Sequence, residues 1–432
     1  MANEIGIGFL GMGNVGEKVV ATLLERADQF REQTGASLTL RRVAVKDPTR
    51  SRGIDLPAGV LTGDAGDVLD DPSVDVVVEV IGGDGAAGDY VRRALAGGKH
   101  VVSANKELVA KAGPELFELA RANGAALRFE ASVGGGIPVI SPLLRDLPAN
   151  RVVAIRAIIN GTTNFILTNM AQRGDSFEDA LAEAQDLGYA EPDPTNDVDG
   201  YDAAFKIALM AGLAFGTYVR PEEVATEGIR SLAPQDFEYA RELGYVIKLL
   251  AIAERHGDGV LARVHPALLP ESEPLARVDG VQNAAQIQGD LAGTLTFQGA
   301  GAGAAPTTSA VLADVLDISR SLAEGAQPRW DPGPWRNGEA LGLGALETRY
   351  YLRMTVVDQP GVLAQIARVL GEAKVSIAAV DQRESDEERG TAELALMTHR
   401  ARELAVTGAI DTLRGLDEVI EVDAMLRVEG AT

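Results

Sequence analysis

Ile5-Gly6-Ile7-Gly8-Phe9-Leu10-Gly11-Met12-Gly13-Asn14-Val15-Gly16 is the stretch on which the fold turns. Its first half is a short apolar run with strand character. Gly11, Gly13 and Gly16 follow at once, spaced Gly-x-Gly-x-x-Gly. Val15, Val19, Val20, Leu23, Leu24 and Ala27 then recur at helical spacing. Strand, glycine turn and helix in this order form a dinucleotide cradle. The glycines allow a tight turn and let a pyrophosphate approach backbone N–H groups at a helix N-terminus.

The residues that follow extend a parallel sheet. A second strand, 38–45, runs into Lys46 and Asp47, with Arg50 and Arg52 just after. Asp47 can take a ribose hydroxyl, whereas Lys46 can pair with a 2′-phosphate; the mixture leans toward NADP and leaves NAD open. Residues 74–81 are a nearly continuous apolar run, typical of a central parallel strand, ending at Ile81 before Gly82 and Gly83. A helix around 90–95 comes next. Residues 100–106 read as another strand running into a loop with Ser103, Asn105 and Lys106. Doubly wound sheets bind ligands beyond the carboxyl ends of their strands, which is where these three side chains fall.

A second informative stretch runs from Gly188 to Lys206, with carboxylates and prolines ahead of one lysine. Lys206 lies inside an apolar helical pattern of Phe205, Ile207, Ala208, Leu209 and Met210. Asp202, four residues earlier, shares its helical face. Bordering a pocket, Lys206 would be a proton donor and acceptor. Alone, an Asp–Lys pair at this spacing is an ordinary surface salt bridge.

Composition narrows the class. The chain has 432 residues, no cysteine, four histidines and a formal charge of −23. That length suggests two or three domains. The acidic balance argues against nucleic acid, because no basic cluster is present to release phosphate counterions. Without cysteine there is no thiolate nucleophile, iron–sulfur cluster or Cys₂His zinc site. His100, His256, His265 and His399 lack metal-ligand spacing. No signal peptide and no apolar stretch of membrane-spanning length appears, so a cytoplasmic location away from membranes is expected.

Farther along, residues 132–138 form a glycine loop, 152–159 a strand closed by Asn160-Gly161-Thr162-Thr163-Asn164, and 299–303 a second glycine turn before a helix at 308–319. Residues 321–347, with Pro328, Pro332, Pro334, Trp330 and Trp335, fit no period and read as a linker whose tryptophans pin it to a neighbouring surface. The remaining residues, 348–432, read βαββαβ, the ferredoxin-like pattern of a separate module.

Six motifs in register carry a family resemblance over essentially the whole length: 11–16; Asn105-Lys106; Glu130 to Pro138; Asn160 to Phe165; Gly188 to Pro194 continuing through Asp202 to Lys206; and Gly299 to Gly303. The chain resembles homoserine dehydrogenase of the bacterial type with a C-terminal ACT domain. The resemblance implies an α/β fold in three parts. These are an N-terminal Rossmann dinucleotide-binding domain at 1–130, with a return helix at 305–320, a central α+β catalytic and dimerisation domain at 131–304, and, after the linker, the ACT domain. It implies an oxidoreductase interconverting L-homoserine and L-aspartate 4-semialdehyde with NADP or NAD, in threonine, methionine and isoleucine biosynthesis. Lys206 matches the general acid/base, and Lys106 a second essential lysine near the nicotinamide. Asp202 matches both catalytic and substrate-binding roles, beside Glu191, Asp197 and Gly188. Cofactor positions are Gly11, Gly13, Asn14, Val15, Gly16, Lys46, Ile81, Ser103, Lys106, Gly188 and Gly301. Glu130, with carbonyls of Val133, Gly135 and Ile137, matches a monovalent cation site, usually Na⁺. The ACT turn from Asp358 to Leu363 implies L-threonine as effector, although Lys374 stands where a small polar residue is expected. A homodimer or homotetramer is implied as well.

Two rivals remain at this point. Short-chain dehydrogenases need Tyr-x-x-x-Lys, which does not occur. A noncatalytic nucleotide and amino-acid sensor would share the sheet and the module, but would have no use for Lys106, Glu191, Asp202 and Lys206 together.

Overall fold

The computed structural model describes residues 3–328, 332–333, 335–382 and 389–430. The N-terminal sheet is parallel and six-stranded. From edge to edge its strands are Leu61–Thr62, Ala36–Ala44, Asn3–Leu10, Val76–Glu79, His100–Ser103 and Leu127–Arg128. Strand order reverses beside Asn3–Leu10, the switch point where such sheets open a crevice. Gly11 turns there at φ 95°. Helix Asn14–Glu25 follows, and a Cβ on Gly16 would lie 2.9 Å from the Gly11 carbonyl, so glycine is needed for the helix to pack this close.

The second face is completed from far along the chain. Helix Ala304–Ala323 packs Val311, Leu312, Val315 and Ile318 against Ile7, Phe9, Val19, Val20 and Leu23. It runs three residues into the expected linker, because Leu322 and Ala323 continue its apolar stripe.

The central sheet carries strands Gly293–Ala300, Gln282–Gly289, Val152–Ile158, Tyr245–His256 and Gly259–Pro270. It does not stop there. Val419–Val428 pairs in parallel with Gly259–Pro270, Ala267 opposite Arg427, and Glu347–Val357, Thr391–Thr398 and Ile377–Gln382 follow. With helices Val362–Glu372 and Glu403–Leu413 these four strands make the expected βαββαβ unit. It has its own apolar core, built on Tyr350, Leu352, Ile366, Leu370, Leu394 and Ile410. The other face of the same strands, with Tyr351, Ala395, Met397, Ala424 and Leu426, packs into the core of the catalytic region. Parallel pairing occupies the edge that a free-standing unit would leave open.

Trp335 is packed as expected. It lies edge-on to Phe117 with centroids 5.3 Å apart and stacks on Tyr218 at 6.1 Å. A Cβ on Gly212 would meet its ring at 2.8 Å. Arg336–Asn337 adds a short strand to Thr217–Tyr218, so this stretch is tied down by pairing as well. Trp330 and Pro334 lie outside the described residues. Among the described residues no helix is long and apolar enough to cross a membrane.

Candidate active site

Three elements converge beyond the carboxyl end of the parallel sheet. Strand His100–Ser103 runs into Asn105, whose side chain caps helix Lys106–Ala122 by accepting from the Leu108 N–H at 3.1 Å. That cap starts the helix at Lys106. Helix Tyr201–Phe215 carries Asp202 and Lys206. Asn160 lies two residues beyond strand Val152–Ile158 and caps helix Gly161–Arg173 through the Thr163 N–H at 2.9 Å.

Asp202 joins them. One carboxylate oxygen lies 2.7 Å from the Lys106 Nζ and the other 2.6 Å from the Lys206 Nζ. Lys206 also donates to the Ile159 carbonyl at 2.8 Å. The Asn160 amide donates to Asp202 at 3.0 Å and to Asp197 at 2.6 Å. The i,i+4 pair read from the sequence is present. It is no surface pair, since the Asp202 side chain is 7% exposed and that of Lys206 12%.

The charges support one another. Burial works to raise the Asp202 pKa, but the two ammonium groups outweigh it and hold the carboxyl well below the usual range. Burial works to lower the Lys106 pKa; the Asp202 charge and hydrogen bond, with Asp197 and Glu107, more than cancel this, and the net shift is upward. Asp197 is pushed up by burial and then by the Asp202 charge. The Lys106 side chain remains 40% exposed.

The other expected residues divide. Gly188 takes φ 74° after helix Phe177–Asp186, and Glu191 is exposed on the segment that follows. Gly13 is the N-cap of the first helix and has no side-chain cap. A Cβ there would meet nothing within 4 Å, which leaves room for phosphate at the free N–H groups of Asn14 and Val15. Ile81 is exposed beside the glycine turn. The cradle thus fits a dinucleotide. Lys46 is exposed, while the Asp47 carboxylate accepts from the Thr49 N–H at 2.9 Å and from its hydroxyl at 2.6 Å.

Ser103 is a different case. Its hydroxyl donates to Glu79 at 2.6 Å. The other Glu79 oxygen accepts from the N–H groups of Ile81 at 2.8 Å and Gly82 at 3.1 Å. Fully buried Glu79 thus shapes the turn at the switch point. Sequence reasoning missed it. The available signal was an acid closing an otherwise apolar central strand.

Gly301 packs against buried Asn283: a Cβ would fall 1.9 Å from its amide. Gly135, at φ 57°, faces the Gly301 carbonyl at 2.4 Å from such a Cβ, so the loop with Val133 and Ile137 is fastened to the second glycine turn. The Glu130 carboxylate accepts backbone N–H groups of Val139 at 2.7 Å, Ile140 at 2.9 Å and Ser141 at 2.7 Å. Burial nonetheless pushes its pKa up. Among the described residues no cluster of three or more His, Cys, Asp or Glu side chains could hold a metal ion. A cation at Glu130 would therefore rely on main-chain carbonyls.

Comparison with known proteins gives the family. The family described as "Homoserine dehydrogenase, NAD binding domain" matches residues 11–130, "Homoserine dehydrogenase" residues 138–316, and "ACT domain" residues 350–418. The homoserine dehydrogenase of Neisseria gonorrhoeae is 41% identical over 430 residues, 98% of each chain. The solved homoserine dehydrogenase of Thiobacillus denitrificans superposes with a TM-score of 0.92 at 42% identity, covering 99% of this chain and 98% of that one. A hyperthermophilic archaeal homoserine dehydrogenase solved in complex with NADPH matches 74% of this chain and 98% of its own, with a TM-score of 0.62 and 28% identity. With near-complete coverage at this identity, the chain belongs to the homoserine dehydrogenase family.

Proposed function

We propose that Lys206 is the general acid/base of an L-homoserine dehydrogenase acting between L-homoserine and L-aspartate 4-semialdehyde. The observation that carries this reading is the Lys106–Asp202–Lys206 bridge, with 2.7 and 2.6 Å contacts. A bound nicotinamide nucleotide supplies or accepts the hydride at the carbon bearing the oxygen. In reduction Lys206 gives a proton to that oxygen as negative charge develops; in oxidation it removes the hydroxyl proton. Asp202 fixes both ammonium groups, and Lys106 adds positive charge at the developing alkoxide. Glu191 and Asp197 suit the substrate ammonium, with Gly188 letting the segment turn toward it. Lys206→Ala is expected to lose roughly 10²- to 10⁴-fold in kcat, the scale of general acid/base catalysis, with the circular dichroism spectrum unchanged. Turnover close to that of the unmodified enzyme would remove Lys206 from the chemistry.

The labour divides between residues 1–130 with the return helix for the nucleotide, 131–304 for substrate and 348–432 for regulation, joined by 321–347. Ser103 supports the cofactor edge through Glu79, and Gly301 bounds the nicotinamide end. NADP is the preferred nucleotide. The support is Asp47, whose carboxylate is engaged within its own loop at 2.6 Å, leaving Lys46 and the nearby arginines to a 2′-phosphate. Lys46→Ala should lower kcat/KM for NADP severalfold and leave NAD unaffected; equal loss with both would refute the preference.

A sodium ion suits Glu130 with the carbonyls of Val133, Gly135 and Ile137, since positive charge would relieve the buried carboxylate. Its part is to order the loop. L-threonine is the effector. The turn from Asp358 to Val362 lines a cavity of about 360 Å³ with Gln382 and Leu394, sized for a small amino acid. Asp358→Ala should abolish threonine inhibition without changing uninhibited turnover. The enzyme acts in the cytoplasm as a homodimer or homotetramer, on the route to threonine, methionine and isoleucine.

A further inference from the structure

Arg427 lies on the last strand of the C-terminal module and is 1% exposed. Its guanidinium donates from Nε to Glu403 of the same module at 2.9 Å, with a closer contact from Nη2. The same guanidinium reaches out of the module. Nη1 and Nη2 each donate to Glu227 at 2.8 Å, one to each carboxylate oxygen. Glu227 follows the short strand Ala225–Thr226, and its N–H donates to the Val264 carbonyl at 2.8 Å.

The next three residues press on the turn beneath the two lysines. The Ile229 N–H donates to the Val198 carbonyl at 2.9 Å. A Cβ on Gly228 would fall 2.5 Å from that same carbonyl. Arg230 Nε donates to Asp199 at 2.6 Å. Val198 and Asp199 connect Asp197, held by Asn160, to Gly200 and Asp202. A continuous series of short contacts therefore runs from the C-terminal module to the carboxylates of the site. Its first link is a charge-assisted bidentate pair with one partner fully buried, the strong form of such contacts.

We propose that the Arg427–Glu227 pair is a positioning clamp on the turn at 195–202, through which the C-terminal module sets the affinity for substrate. Glu227 and Arg427 are positioning residues; neither belongs to the reacting constellation. The proposal rests on Asp197 and Asp202 lying in the substrate site.

The test is steady-state kinetics on the full-length Glu227→Gln enzyme, which keeps side-chain size and removes the charge. The KM for homoserine should rise at least about threefold, within the range by which coupling residues act, while the KM for the nucleotide stays unchanged. A pair that merely fastened the module would leave both KM values alone, whatever the change in melting temperature. A homoserine KM within threefold of the parent overturns the proposal. If the Gln variant does not fold, Arg427→Lys serves, since it keeps the charge but loses the fork, and the same homoserine-specific rise is required. Lys206→Ala is assayed alongside: retained turnover there sinks the reading of the site, whereas an unchanged homoserine KM in Glu227→Gln sinks only the clamp.

Discussion

At the scale of single residues, Asp202 governs the site. Because its charge is the main influence holding the Lys106 ammonium up against burial, removing it must move a titration in a known direction. Lys106 must keep its proton to offer positive charge to the developing alkoxide, so loss of that proton makes kcat/KM fall on the alkaline side. Asp202→Asn should lower kcat/KM and bring that falling limb to lower pH; a limb that stays in place would show that Asp202 does not hold the Lys106 ammonium. Part of this was legible beforehand. The Asp202–Lys206 spacing is local and reads directly from helical geometry, whereas Lys106 meets Asp202 only through tertiary packing, which leaves no local trace. Lys374 shows the reverse. The sequence flagged it as unusual for its position, and it occupies φ 60° at the end of helix Val362–Glu372. The Val375 N–H donates to the Leu370 carbonyl at 2.8 Å, and the Lys374 N–H to that of Gly371 at 3.0 Å. This is a glycine-type helix stop. Lys374→Gly should therefore raise the melting temperature by about one or two degrees; a decrease would mean the Lys374 side chain has a stabilising role of its own.

Between elements, the two glycine turns look alike in sequence and differ in kind. Gly13 borders open space, so Gly13→Ala should fold with an unchanged melting temperature and weaken nucleotide binding roughly tenfold by occupying the phosphate approach. Gly301 has no such room. Its missing Cβ would fall 1.9 Å from the Asn283 amide, and Asn283 is buried. Gly301→Ala should lose stability as well as nucleotide affinity, by about 1–3 kcal/mol of overpacking. Differential scanning calorimetry and nucleotide titration separate the two cases; equal melting temperatures would refute the distinction. Strand–turn–helix order was enough to find the first cradle. The cost of a side chain at the second depends on Asn283, which reaches Gly301 through the pairing of two neighbouring strands.

For the whole molecule, the decisive feature is the sheet shared between catalytic region and regulatory module. The βαββαβ pattern was readable because each element buries its own periodic stripe. The pairing of Val419–Val428 with Gly259–Pro270 was not, because strand pairing over such a distance has no local signature. The junction is also charged. Arg353 of the module donates to Asp236 of the catalytic region at 2.7 Å, and Asp236 is 0% exposed. The Tyr351 hydroxyl donates to it at 3.3 Å. Arg263 of the catalytic region pairs with Glu429 at 2.7 Å, both buried. Removing one partner from a buried pair costs about 3–5 kcal/mol, and whole domains are stable by only about 5–15 kcal/mol. Cutting the chain after residue 346 would strand Asp236, deprive Arg263 of one acid and bare the edge of Gly259–Pro270. The fragment is expected to aggregate or to elute without a cooperative melting transition, even though the module has a core of its own. A soluble fragment that turns over homoserine at the parent rate would refute this and make the module a detachable regulator. Because truncation disturbs folding and regulation together, threonine control is better tested by point substitution at Asp358, which lies away from this junction on the turn that lines its own cavity.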